Sequence, residues 1–94
     1  EWVRFDFAQP ATISKVKVYW FDDGPAGGCR IPDEWSVEYM SGGSWKKAAT
    51  SNPLTIARDA WNIAEFAPVT ASAVKINVRL SIDFSSGIHE VVIE

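Results

Sequence analysis

Apolar and polar residues alternate with a period of two along most of this chain, a pattern typical of β-strands with one buried face. From residue 74 to residue 80, for example, apolar residues occupy the even positions and polar residues the odd ones. Turn-forming residues predict a turn over 9–12 and a hairpin loop over 41–44. The predicted strands cover residues 2–7, 13–21, 35–40, 45–48, 73–80 and 88–94.

Two stretches interrupt the alternation and are predicted to be loops. Residues 22–33 contain three Gly and two Pro, which exclude a regular element there. Residues 83–87 form a second loop that leads into the last predicted strand. Both loops contain charged or aromatic residues, which predicts a binding site there.

One region fits two patterns. An apolar stripe at helical spacing begins at Leu54, whereas residues 61–66 alternate like a strand that ends in a hairpin near Pro68. We favour the strand. With it, the chain has six or seven short strands separated by turns, which predicts an all-β fold, an antiparallel β-sandwich or barrel.

Tryptophan is the unusual feature of the composition, with 5 Trp among 94 residues. Trp20 and Trp35 are in phase with apolar neighbours and are predicted to lie in the core. For Trp2 and Trp61 the pattern leaves both core and surface open. A chain of this length fits one domain with one core, so residues 1–94 are assigned to a single domain.

Charge and composition exclude several function classes. The formal net charge is −3, which argues against a protein that binds the phosphate backbone of nucleic acids. No apolar run approaches the roughly 20 residues of a membrane span. The single Cys29 cannot form an internal disulfide, and Cys29 with the single His89 is too little for a zinc site.

Catalytic groups are also scarce. His89 is the only imidazole base for a nucleophilic triad, and no nucleophile motif accompanies it. Asp22-Asp23 and Asp33-Glu34 are paired carboxylates, but adjacent residues of a strand point to opposite faces. We therefore expect no catalysis by this chain alone, and binding is the remaining class of function.

The two predicted loops contain side chains suited to sugars. A sugar site needs an aromatic ring and a few planar polar groups that hydrogen-bond hydroxyls. The first loop offers Asp22, Asp23 and Arg30, and the second offers Phe84. We predict that these four residues bind carbohydrate. The alternatives are that Phe84 covers the core and that Arg30 forms a structural salt bridge with the aspartates near it.

Seven motifs follow one another along the chain. They lie in residues 1–7, 13–20, 30–39, 43–46, 66–69, 74–76 and 87–91, and combine Trp, alternating apolar residues, Asp-Phe and Pro. Their order resembles that of discoidin-like domains, the coagulation factor type C family with a galactose-binding-domain-like fold. The resemblance implies a jelly-roll β-sandwich. Because family domains begin a few strands earlier, we expect this chain to lack its N-terminal strands and to be a fragment of a larger protein.

The resemblance also implies a ligand class and a metal. Residues 19–23 and 27–30 are similar to a subgroup attached to large bacterial glycoside hydrolases, including arabinofuranosidase-like and galactosidase-like enzymes. Family members commonly hold a structural Ca²⁺ at one end, and Glu90 matches one ligand in the closing strand. Since most other ligands come from the segment before the first motif, we expect a calcium site to be incomplete in this chain.

The resemblance favours a non-catalytic carbohydrate-binding module of a secreted or cell-surface bacterial glycoside hydrolase. Its partners would be a galactose- or arabinose-containing polysaccharide and the parent catalytic domain, with no nucleic acid and no membrane insertion. One alternative is a purely structural domain that packs against the catalytic domain. Another is a protein-binding adhesion module, or a phospholipid-binding one, although the acidic residues of loop 22–33 argue against an anionic membrane.

Overall fold

β-Strands form the regular structure of the described part of the chain. The computed structural model describes residues 2–21, 29–30, 34–57, 60–79 and 85–94, with side chains except at 21, 29–30 and 85–89. No helix in these ranges is long and apolar enough to cross a membrane. Six strands follow in chain order: β1 (Trp2–Phe21), β2 (Cys29–Arg30), β3 (Glu34–Ser41), β4 (Ser44–Lys47), β5 (Trp61–Arg79) and β6 (Ser85–Ile93).

The long strands β1 and β5 pair antiparallel and organise a sheet with the order β2-β6-β1-β5-β3-β4. β3 pairs with the C-terminal half of β5, and β6 pairs with the C-terminal half of β1. Because β1 and β5 run in opposite directions, these pairings lie at opposite ends of the β1–β5 ribbon. A first layer therefore contains β3, β4 and residues 2–7 and 70–79, and a second contains β2, β6 and residues 15–21 and 61–65.

The two layers face each other, which makes the fold a β-sandwich. Trp20 of the second layer contacts Trp35 of the first edge-to-face, with ring centroids 5.8 Å apart. Along β5, Trp35 pairs with Val78, whereas Tyr19, next to Trp20, pairs with Trp61. In a flat sheet the β5 positions Val78 and Trp61 would be about 55 Å apart, at roughly 3.3 Å per residue. The contact therefore requires the β1–β5 ribbon to bend back on itself.

Two register shifts interrupt the β1–β5 ribbon, and each contains a proline. One shift lies between Asp6 and Ala11 of β1 and includes Pro10, while the other includes Pro68 of β5. Proline lacks the N–H that a strand ladder uses, and a bulge accommodates it. The predicted turn over 9–12 and the predicted hairpin near Pro68 are therefore wrong. These residues form bulges within two continuous strands. The short strands predicted before and after each bulge are parts of one long strand, β1 or β5.

Alternating positions of both layers form the core. Val16, Val18 and Trp20 of β1 are fully buried, as are Val74 and Ile76 of β5. Each aliphatic side chain buried in this way contributes about 1.5–3 kcal/mol relative to exposure. The core also contains Ile13, Trp35, Val37, Ala48, Ala64, Phe66 and Ala71. The prediction that Trp20 and Trp35 are core residues is confirmed.

In the second layer, β5 pairs with β1 along one edge, and residues 50–57 cover its other edge. The backbone N–H of Ser51 donates to the carbonyl of Glu65 at 2.7 Å. The Asn52 side chain accepts from the N–H of Glu65 at 2.9 Å and donates to the carbonyl of Ile63 at 2.8 Å. An amide side chain thus replaces the peptide group of a neighbouring strand, and the edge is not left open to another chain.

Asn62 is a fully buried polar residue at the start of β5. Its Oδ1 accepts from the Thr55 hydroxyl at 2.8 Å and from the Ala57 N–H at 2.7 Å. Its Nδ2 donates to the carbonyls of Ala57 and Ala60 at 2.9 and 3.1 Å. The amide is fully hydrogen-bonded, as a buried polar group must be. Asn62 therefore anchors the chain that leads into β5.

Two further predictions are confirmed. The strand over 61–66 exists as the first part of β5, and no helix forms there. The hairpin over 41–44 joins β3 to β4 through Gly42 and Gly43, whose φ angles are 61° and 81°. Two consecutive positive φ values suit a tight two-residue hairpin, and glycine adopts them without steric cost.

Candidate functional site

The described residues that flank the two predicted loops lie at one end of the sandwich. β1 ends at Phe21, β3 begins at Glu34 and pairs there with Arg79, the last residue of β5. The first pair of β6 with β1 joins Gly87 to Phe21. Since Trp20 contacts Trp35 beside these strand ends, the ends of both layers meet there. We call this end the loop rim.

The pairing of β2 with β6 adds a second link between the two predicted loops. Cys29 pairs with Ser85 and Arg30 with Ser86 in parallel register. The prediction that 22–33 holds no regular element is therefore wrong at these two residues, and the last strand begins at 85 rather than 88. A regular backbone pairing thus connects the first loop to the start of the closing strand.

The predicted sugar site is only partly within the described structure. The Arg30 backbone lies beside Ser86, two residues after Phe84 in the sequence. Asp22, Asp23 and Phe84 lie outside the described residues. The grouping of these four side chains remains a prediction, and the neighbouring backbones of β2 and β6 are compatible with it.

Glu90, the predicted calcium ligand, lies in β6 opposite Tyr19 and is exposed. Calcium binds with about 6–8 oxygen ligands, mostly from carboxylates and carbonyls. Among the described residues, no three His, Cys, Asp or Glu side chains group closely enough to hold a metal ion. The described residues therefore do not by themselves form the calcium site that the resemblance implies.

The outer side of the first layer carries aromatic and cationic side chains from β1, β5 and β4 of the sheet. Lys75 Nζ of β5 lies 5.0 Å from the ring centroid of Trp2 on β1 and 4.3 Å from that of Trp45 on β4. Arg4 Cζ lies 5.2 Å from the Trp45 centroid. Each exposed cation–π contact at this range contributes about 0.5–1 kcal/mol of attraction between the cation and the ring. We call Trp2, Arg4, Trp45 and Lys75 the Trp2 face.

The two cations of the Trp2 face differ in their charge partners. Arg4 binds the Asp6 carboxylate with Nε at 3.0 and 3.1 Å and Nη2 at 2.8 Å. No carboxylate of the described residues lies within salt-bridge distance of Lys75. Glu38, its neighbour in the register, accepts a hydrogen bond from Asn77 Nδ2 at 2.6 Å. The Lys75 ammonium thus lies close to two indole rings and forms no salt bridge with a described carboxylate.

A shallow depression next to Trp2 extends the Trp2 face toward the loop rim. It runs along β3 and β5 and is lined by the polar residues Glu34, Ser36, Asn77 and Arg79, together with Trp35 and Val78. Trp2 pairs directly with Asn77, so the indole is adjacent to this depression. Amide, guanidinium and carboxylate groups beside an exposed ring are the groups that a sugar site needs.

The outer side of the second layer also carries an exposed tryptophan. Tyr19 packs edge-to-face against Trp61 at 5.5 Å, and Lys17 Nζ lies 5.9 Å from the Trp61 centroid. Lys17 also forms a salt bridge with Glu94 at 2.7 Å. A hydrogen bond and charge attraction from Lys17 lower the pKa of Glu94 below its ordinary value of 4.5. We call Lys17, Tyr19, Trp61 and Glu94 the Trp61 face.

The sequence contained a signal for both faces that the loop-centred interpretation did not use. Trp2 is in phase with Arg4, which the alternation already placed away from the apolar face. In the same way, Trp61 is out of phase with the buried Asn62 and with Ala64. The observed exposures of 58% for Trp2 and 41% for Trp61 follow from that phase.

Comparison with known proteins identifies the fold family. The F5/8 type C family model described as a NedA-like, galactose-binding domain matches residues 1–76. A chain of the multifunctional β-galactosidase of Streptococcus pneumoniae is similar, with TM-score 0.82, 16% identity, and coverage of 99% of this chain and 69% of that one. A candidate α-L-fucosidase from Bacteroides thetaiotaomicron is similar with TM-score 0.64, 19% identity, and coverage of 98% and 19%. The search of curated proteins gives no match.

These likenesses confirm the predicted fold, a galactose-binding-like jelly-roll β-sandwich. At 16% and 19% identity, the two solved structures establish the architecture and do not carry over individual side chains. Domains of this fold occur as modules of glycoside hydrolases, and this chain is similar to such modules.

Proposed function

Because the chain belongs to the F5/8 type C family, in its NedA-like galactose-binding group, we propose that it is a non-catalytic carbohydrate-binding module. It holds a secreted or cell-surface glycoside hydrolase close to its polysaccharide. Galactose- or arabinose-containing glycans are the ligand class, and Asp22, Asp23, Arg30 and Phe84 form the binding site. Individual contacts of this kind are weak, and several modules on one polymer strengthen them through effective concentration.

The observation that best supports this proposal is the pairing of β2 with β6 at the loop rim. It brings the backbone of Arg30 beside Ser86, close in sequence to Phe84. Loops at one end of a rigid sandwich are where recognition residues concentrate, because the strands fix the loop ends. A guanidinium, carboxylates and an aromatic ring together match the hydroxyls and the apolar face of a galactose-type sugar.

A second candidate is a structural domain that packs against the parent enzyme. The exposed Trp2 and Trp61 favour it, because exposed aromatic side chains are enriched in protein interfaces. The two candidates differ in a measurable way. A binding module responds to sugar at the loop rim, and a purely structural domain does not.

The proposal is tested by titrating the ¹⁵N-labelled chain with galactose, lactose, arabinose and their oligosaccharides while recording amide shifts. We expect saturable shifts at residues 22–33 and 83–87, with a dissociation constant of about 0.1–10 mM, or roughly 2.7–5.5 kcal/mol of binding free energy. The Arg30→Ala and Phe84→Ala variants should each weaken binding by about tenfold.

Matched controls separate loss of the site from loss of the fold. Lys46→Ala removes an exposed cation of β4 that belongs to neither the loop rim nor the Trp2 face, and should leave these affinities unchanged. The buried indole signals of Trp20 and Trp35 report an intact core in each variant. Absence of any rim shift with all of these sugars would favour the structural candidate instead.

A further inference from the structure

We propose that the Trp2 face is a second glycan site, separate from the loop rim, which binds an acidic polysaccharide containing uronic acid. The ligand stacks a pyranose ring on the exposed Trp2 and passes beside Trp45, and its carboxylate pairs with Lys75. The three residues lie on the outer side of the first layer, whereas the four predicted rim residues belong to the loops. The proposal therefore does not depend on the proposed rim site.

The spacing of the two indoles suits an extended ligand. Both ring centroids lie within 5.0 Å of the same Lys75 Nζ, so they are less than 10 Å apart. Trp2 is 58% exposed. Rings held on strands of one sheet lose little freedom when a ligand packs on them, which favours binding. A polymer that crosses from Trp45 to Trp2 continues into the polar depression beside Asn77.

The charges of the Trp2 face select an acidic ligand rather than a neutral one. Asp6 already neutralises Arg4 through a bidentate contact. Glu34 lies 3.9 Å from Arg79, so that pair is also compensated. Glu38, opposite Lys75 in the register, accepts from Asn77, and no described carboxylate lies within salt-bridge distance of Lys75. A ligand carboxylate would supply that partner.

Binding at the Trp2 face is distinguished from binding at the loop rim with two matched probes. They are a galacturonate oligosaccharide and its carboxyl-reduced galactose counterpart. Binding is measured by calorimetry and by the indole N–H signals of the five tryptophans in ¹⁵N-labelled protein. We expect the acidic oligosaccharide to shift the Trp2 and Trp45 signals and to leave those of Trp20, Trp35 and Trp61 in place. The neutral counterpart should bind the Trp2 face at least about fivefold more weakly, the value of one exposed ion pair near 1 kcal/mol.

Lys75→Met keeps the apolar stem and removes the charge, and should weaken the acidic probe by about fivefold while leaving galactose shifts at the loop rim unchanged. Trp2→Ala should weaken it by about tenfold. Lys17→Met, which removes a lysine above the other exposed indole, is the matched control and should have no effect. Raising the NaCl concentration should weaken the acidic probe and not the neutral one.

Several results would overturn the proposal. Equal affinity for the acidic and reduced probes removes the role of Lys75, and shifts confined to Trp61 or the loop rim place the ligand elsewhere. Concentration-dependent dimerisation that Trp2→Ala abolishes would identify a second copy of the chain as the occupant. Protection of Trp2 from acrylamide quenching in a longer polypeptide that carries this domain would identify a neighbouring domain as the occupant.

Discussion

The Trp2 face and the Trp61 face combine the same residue types with different electrostatics. Each has an exposed indole with a lysine ammonium above it, and both are built on β1 and β5. On the Trp61 face the lysine is neutralised by Glu94 at 2.7 Å. On the Trp2 face the lysine lies between two indoles and has no described carboxylate within salt-bridge distance. The aromatic content of a surface alone therefore does not decide what it can bind.

The support beneath each indole differs as well. Trp61 precedes Asn62, whose buried amide fixes the chain before β5. Trp45 follows the Gly42-Gly43 hairpin, so the second ring of the Trp2 face depends on a tight turn. One indole is thus held by a buried hydrogen-bond network, and the other by backbone conformation. Substitutions in these supports should affect the two faces separately.

The largest expected effect comes from removing the amide beneath the Trp61 face. Asn62→Ala leaves the Ala57 N–H and two carbonyls without their buried partner, and should lower the free energy of unfolding by about 2–3 kcal/mol. Chemical denaturation monitored by tryptophan fluorescence measures the loss. Within the native state, the Trp61 indole signal should move more than that of Trp2.

Asn52→Ala is the matched control for that substitution. Asn52 also bonds the backbone of β5, but it is only partly buried, so water can replace its hydrogen bonds. We expect a loss of about 1 kcal/mol or less. An equal decrease in the free energy of unfolding for the two variants would show that burial does not strengthen the contribution of the Asn62 hydrogen bonds.

The next effect in size concerns the turn beneath the Trp2 face. Gly43→Ala places a Cβ at a φ of 81°, which costs about 1–2 kcal/mol although no atom obstructs the side chain. The free energy of unfolding should fall by that amount, and the Trp45 signal should broaden or shift. Ser44→Ala, one residue later at normal φ, is the control. An unchanged stability for Gly43→Ala would mean that the hairpin tolerates another turn type.

The alternation of side chains predicted the layers well but not their connection. Core positions from Val16 to Trp20 and from Val74 to Ile76 follow the period of two, because burial of one face is a local property of each strand. From the sequence alone, Pro10 and Pro68 predict turns, although proline is frequent in both turns and bulges. Only the register of the opposite strand distinguishes the two, and it is a long-range property that one sequence does not display.

The candidate sites show the same division between local and long-range information. The exposure of Trp2 follows from its phase with Arg4. The meeting of Trp2, Lys75 and Trp45 depends on three strands that are far apart in sequence. The acidic and aromatic loop residues are predicted to form a site from their chemistry and from their position in two loops. Strand order, which brought the Trp2 face together, could not be obtained from spacing alone.

The smallest effect tests the electrostatic difference between the faces directly. Lys17 lowers the pKa of the Glu94 carboxyl in the folded state. The stabilisation by this pair is therefore present above the pKa that the carboxyl has in the unfolded state, and it is lost as the pH falls through the pKa of the folded state. In Lys17→Met the Glu94 pKa, measured by NMR titration of the side-chain carboxyl, should rise toward 4.5. Lys75→Met should leave this titration unchanged, because Lys75 belongs to the other face. A shift of the Glu94 titration in Lys75→Met would mean that the two faces are electrostatically coupled, and the contrast between a neutralised lysine and an available one would no longer hold.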